Sequence, residues 1–116
     1  MPADLIANLE ALLAKGGDGA VLRLALASRY LDGGDAESAV KHAEAAVRLD
    51  PEYSAAWKAL GLALTAAGRA AEAERSYERG IAVAERRGDQ QVAKEMRVFS
   101  KRLKGASGPA APAAKD

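Results

Sequence analysis

The sequence predicts an all-α fold, an α-solenoid of about six helices stacked as antiparallel pairs, and three observations predict it. The first is internal repetition: the 116-residue chain copies itself with a period of 34. Laying 23–51 over 57–85 puts Leu26 on Leu60, Tyr30 on Leu64, Gly34 on Gly68, Ala39 on Ala73, Ala43 on Tyr77 and Ala46 on Gly80. Each unit is two helix-length apolar stretches broken by a glycine. A unit that small cannot bury its own apolar face and must stack on a copy of itself. The second is composition: 29 alanines carry the hydrophobic content to 49% while aromatics stay at 4%, which favours helix and close helix packing. The third is that no segment alternates as a strand does, and no cluster of β-branched residues occurs.

Each helix has its own start and stop signals. The first runs from about Asp4 to Lys15 and ends at Gly16-Gly17. The second spans about Ala20 to Leu31, with Asp18 as its expected N-cap, and breaks at Gly33-Gly34. Asp35 caps the third, about Ala36 to Leu49, which ends at Asp50-Pro51 because proline disfavours helix at the residue before it. The fourth covers about Tyr53 to Ala67, and Gly68 turns the chain into the fifth, about Ala70 to Arg86. Gly88-Asp89 opens the sixth, about Gln90 to Lys104. Within it Val92, Met96, Phe99 and Leu103 form an apolar stripe, opposite a charged face of Lys94, Glu95, Arg97, Lys101 and Arg102. Such a polar face lets a stack end and stay soluble. The expected organisation is one helical domain over 1–104. It comprises a flanking helix in 1–19, repeats at 20–53 and 54–87, and a capping helix in 88–104. A disordered tail is expected over 105–116, where small residues and two prolines offer nothing to pack.

The repeated residues resemble the tetratricopeptide repeat, whose pattern is Trp, two residues, Leu-Gly, two residues, Tyr, then Ala, three residues, Phe, then Pro. The second unit reads Trp57-Lys-Ala-Leu60-Gly61-Leu-Ala-Leu64, then Ala73-Glu-Arg-Ser-Tyr77; the first reads Arg23, Leu26, Ala27, Tyr30, then Ala39, Ala43, Ala46 and Pro51. The flanking first helix fits the same period, since Leu5, Leu9 and Leu12 precede Ala39, Ala43 and Ala46 by 34. Arg23, Leu64, Gly80 and Glu85 depart from the family's Trp, Tyr, Ala and Pro. The resemblance implies a right-handed superhelical stack whose first helices line a concave groove, and a noncatalytic module that binds a peptide or helix of another protein there. Carried over by register, the groove positions are Val21, Leu24, Ser28, Leu31 and Asp32 on one helix and Ala55, Lys58, Leu62, Thr65 and Ala66 on the next. Allowing one inserted residue, Gln90, Ala93, Arg97, Ser100 and Lys101 complete it. A groove of this composition is apolar at one end and basic at the other, and fits an acidic-apolar peptide. Family members that clamp a terminal carboxylate use lysine and asparagine on these helices; Leu24 and Ser28 stand in those places here, so that specificity is not carried over. The alternative is a structural subunit, or a module joining copies of this chain through the same helices.

Charge and residue usage bound the other possibilities. The net charge is +1, split between −3 over residues 1–50 (five basic, eight acidic) and +4 over 51–116 (twelve basic, eight acidic). Most of the excess lies in Arg86 to Lys104, which lacks the interleaved aromatics that stack on bases. There is no cysteine, so neither disulfides nor thiolate chemistry arise. No stretch reaches the ~20 apolar residues of a membrane span, and no signal peptide is read at the N-terminus, so a cytoplasmic protein is expected. Alanine, glycine and arginine usage fits a bacterial source. His42, the single histidine, is read on a solvated face beside Lys41 and Glu44, without a nucleophile or orienting group. Glu72, Glu74, Glu78 and Glu85 interleave with Arg75, Arg79 and Arg86 as a charge-laced surface. Gly16-Gly17-Asp18-Gly19 lacks the preceding strand and following Gly-Lys-Ser/Thr of a phosphate loop. No enzyme activity, metal or cofactor is expected.

Overall fold

A computed structural model describes residues 2–107 of the chain. Six helices follow one another: α1 (Pro2–Ala14), α2 (Ala20–Asp32), α3 (Ala36–Leu49), α4 (Ser54–Ala66), α5 (Ala70–Arg87) and α6 (Gln90–Ser107). No strand occurs among the described residues. Each helix packs on the next, and α2 also meets α4, as α4 meets α6. That pattern is a helical solenoid with α2, α4 and α6 on one side. Its extents of 54 × 32 × 21 Å and radius of gyration of 15.1 Å exceed the roughly 13 Å of a globular 100-residue chain, as a stack requires.

The 34-residue register is a geometric repeat. Both turns within the helix pairs close in the same way: Asp35 N–H donates to Tyr30 O at 2.9 Å, and Arg69 N–H to Leu64 O at 2.8 Å. Gly34 and Gly68 sit at the same point, with φ of 85° and 78°, a left-handed conformation open to glycine at no steric cost. Asp35 caps α3, its carboxylate accepting from the Ser38 N–H at 3.1 Å. Asp18 does not cap α2. Gly19 holds that position, and Asp18 is instead drawn to Arg23, at 2.9 and 3.1 Å.

Small residues set how closely the helices approach. Leu26, Ala27, Ala39, Ala43 and Ala46 of the first repeat are buried, as are Trp57, Leu60, Leu64, Ala73 and Tyr77 of the second. A Cβ added at Gly80 would lie 2.5 Å from Met96 Sδ and 2.6 Å from Trp57 Cβ. Gly80, where the family pattern has alanine, is therefore the residue that lets α5 receive both the Trp57 side chain and α6. Gly61 gives the face of Tyr77 the same room.

His42 is not on a solvated face; it is 3% exposed. Its ring stacks on Tyr30 with centroids 5.4 Å apart and planes within 5°. The Arg23 guanidinium donates to Nδ1 at 3.0 Å, which leaves Nε2 to carry the proton, 3.4 Å from the Glu10 carboxylate. Tyr30 donates to the same Glu10 oxygen at 2.7 Å. Arg23 stands where the second repeat has Trp57, and His42 where it has Ser76, which is also buried and donates to Trp57 O at 3.0 Å. The first repeat thus fills this niche with a polar cluster that ties α1 to α2 and α3.

Burial pushes the His42 pKa below its ordinary value of 6.5, with the Glu10 charge acting in opposition. A depressed pKa means that the unfolded chain binds the proton first as pH falls. Stability is therefore complete above about pH 6.5 and declines below it, by at most about 1.4 kcal/mol per pH unit, until the folded-state pKa is passed. Urea midpoints should fall between pH 7.5 and 5.5, and His42→Ser, which copies Ser76, should flatten that slope. A wild-type midpoint constant over this range would refute the assignment.

The expected tail begins too early. Helix α6 continues through Gly105 to Ser107, and 108–116 lie outside the described residues.

Candidate functional site

The first helix of each pair faces one side of the stack, and the side chains there are those that packing between repeats leaves uncovered. On α2, Val21 is 71% exposed, Leu24 is half-buried, Ser28 and Asp32 are exposed, and Leu31 packs on the edge of the core. On α4, Ala55, Lys58 and Leu62 are half-buried and Thr65 and Ala66 exposed. All ten are at least partly exposed.

The α6 positions are not all so. Ala93 is fully buried and Ser100 is 7% exposed, so both belong to the packed face. Arg97 is exposed but turned to α5, where it pairs with Glu85. Lys101 lines a separate cleft of about 330 Å³ between α5 and α6, with Glu78, Ile81, Arg97, Ser100 and Lys104; Gln90 is exposed at the helix start. The reason is the width of the buried stripe. Because α6 touches both α4 and α5, Ala93 and Ser100 join Val92, Met96, Phe99 and Leu103 in it.

Towards the C-terminal end of α4, α6 brings Phe99, Arg102, Leu103 and Ala106. With Leu62 and Thr65 of α4 and Tyr77 of α5 they enclose an open cavity of about 210 Å³. The Tyr77 and Phe99 rings meet with centroids 6.1 Å apart. The Thr65 hydroxyl donates back to Gly61 O at 2.8 Å, so the cavity wall there is chiefly methyl. Burial raises the Tyr77 phenol pKa and keeps it protonated.

Electrostatics across α4 and α6 differ from the expected basic end. Lys58 donates to Glu95 at 2.8 Å. That bond, with another from Gln91, holds the Glu95 carboxyl below the usual carboxylate range. Lys58 and Arg97 are thus each met by an acid of this chain. Arg102, on the cavity rim, has no acidic partner among the described residues. Nor do the described residues include any group of three or more His, Cys, Asp or Glu placed to hold a metal ion.

Stacked helix pairs in a 34-residue register, first helices on one face and glycine-to-aromatic contacts between neighbours define a class, and comparison places the chain within it. Residues 30–94 match the family model described as tetratricopeptide repeat, and the chain belongs to that family. Its members are in general noncatalytic modules for protein–protein interaction. A TPR repeat-containing protein of Pseudomonas aeruginosa is 50% identical over 99 residues, covering 85% of this chain and 94% of the relative. A protein of Bordetella parapertussis, solved in solution, shares the fold at a TM-score of 0.76 and 44% identity, over 87% of this chain and 88% of that one. A tetratricopeptide repeat domain protein of Salinibacter ruber follows at 0.71 and 27% identity, over 78% and 92%. None of the described helices is long and apolar enough to cross a membrane.

Proposed function

We propose that the chain is a noncatalytic adaptor that holds a segment of another protein against the face formed by α2, α4 and α6. The observation that supports this best is the open apolar cavity between α4 and α6, walled by Leu62, Phe99 and Leu103. A concave apolar site open to solvent is the usual form of a recognition pocket. An acidic-apolar segment complements it, since Arg102 on the cavity rim makes no ion pair with an acid among the described residues, whereas Lys58 and Arg97 do.

A second reading, that copies of the chain join, draws on α1. Leu5 and Leu12 there are 37% and 53% exposed, and α1 is by register the second helix of a pair.

A photoreactive side chain at Thr65, on the groove face, and another at Ala82, exposed on α5, separate the two in the native host. The adaptor reading expects an adduct with a different protein from Thr65 and none from Ala82. Equal adducts from both sites, or an adduct of twice the chain's own mass, would count against it.

A further inference from the structure

Resting on that groove reading, we infer that the cavity between α4 and α6 is an anchor subsite. It takes one large apolar side chain of the partner segment, together with a carboxylate received by Arg102 at the rim. The walls name the first half. Leu62, Tyr77, Phe99, Leu103 and the Thr65 methyl present hydrocarbon, and a polar side chain entering there would lose its water without replacement.

Size sets the stoichiometry. The cavity, about 210 Å³, exceeds the roughly 150 Å³ apolar cavity that takes up benzene. It falls short of the ~300–1,000 Å³ of sites that enclose whole small molecules. One phenyl or isobutyl group fits; a cofactor does not.

The register explains why the cavity lies here. Leu31 occupies in the first repeat the position that Thr65 occupies in the second, and Leu31 packs on the core. The shorter Thr65 leaves space at the equivalent point.

The carboxylate follows from the ion pairs. Lys58 is bound to Glu95 and Arg97 to Glu85, whereas Arg102 lines the cavity with no acid beside it among the described residues. Its planar fork suits a carboxylate in two-point contact.

The test uses the full chain, isotopically labelled for NMR, and a twelve-residue glycine–serine peptide, blocked at both ends, carrying one Phe–Glu pair. Peptides with Ala–Glu and Phe–Gln are the comparisons. Shifts should gather at Leu62, Thr65, Phe99 and Leu103 and saturate at millimolar peptide. Thr65→Leu, which fills the cavity with the side chain of the first repeat, should weaken binding roughly tenfold or more. Arg102→Gln should cost about twofold to fivefold against Phe–Glu and nothing against Phe–Gln. Arg102 is exposed, and unchanged Trp57 fluorescence would report an intact fold.

Undiminished binding by Thr65→Leu would overturn the anchor. So would saturable shifts confined to Val21, Leu24 and Leu31, which would leave the groove reading standing. No saturable shift on any of α2, α4 and α6 would remove both. The same shifts produced by raising the protein concentration without peptide would assign the cavity to a second copy and overturn the partner proposed here.

Discussion

Replacing Trp57 with alanine is expected to cost about 3–5 kcal/mol of folding stability, the range for deleting a buried large aromatic. Trp57 is 9% exposed, inside the continuous core. Its indole N–H donates to Pro51 O at 2.8 Å, fastening the α3–α4 connection. The Arg79 guanidinium lies over the ring, 5.9 Å from its centroid. Its Cβ also abuts the space left by Gly80. The alanine variant therefore loses hydrocarbon burial, a buried hydrogen bond and the surface that α5 rests on. Urea denaturation followed by circular dichroism measures the loss, since the chain's single tryptophan fluorophore is removed. A loss below about 1 kcal/mol, far under the range for such deletions, would mean the side chain is not in the core.

Gly80→Ala should be the second large effect, and its sign runs against local propensity. In an exposed helix, alanine is better than glycine by about 1 kcal/mol. Here the added methyl would meet Met96 Sδ and Trp57 Cβ at 2.5 and 2.6 Å. Met96 is flexible, but Trp57 Cβ is fixed to the α4 backbone and both residues are buried. Relief requires α4 and α5 to separate, so a net loss of about 1–3 kcal/mol is expected, as for other overpacked cores. Thermal unfolding compared with Gly105→Ala, where an added Cβ meets nothing within 4 Å, isolates the clash. A stabilised Gly80→Ala would show that the helices are not in this contact.

Much of this architecture was legible in the sequence because its punctuation is local. Gly34, Asp35, Gly68 and Pro51 act through their own backbone preferences, and the helices begin and end within a few residues of where those preferences place them. The period carried the rest, since a 34-residue shift maps Tyr30–Asp35 onto Leu64–Arg69 down to the hydrogen bond.

What was misread depended on contacts between helices. His42 looked solvated from its neighbours Lys41 and Glu44. The usable signal was its register partner Ser76, together with Arg23 in the place of Trp57: a polar pair standing where the second repeat has a tryptophan and a buried serine. Asp18 reads as a cap in the sequence because nothing local reveals that Arg23 competes for it. On α6, carrying the groove positions across an inserted residue put Ala93 and Ser100 on an open face. The breadth of the buried stripe is set by α6 touching two helices at once, which no periodicity within α6 records. The stripe already held Phe99 and Leu103, but that they meet Leu62 and Thr65 across a gap is a tertiary fact.

The central claim is that small residues one period apart bring successive helices into contact and so place α2, α4 and α6 on a common face. Proton–proton NOE measurement on the labelled chain tests it most directly. Strong cross-peaks are predicted between the Gly61 α-protons and the Tyr77 ring, and between the Gly80 α-protons and the Met96 methyl. Their absence in a spectrum that shows the six helices would contradict the packing, and with it the groove built on it.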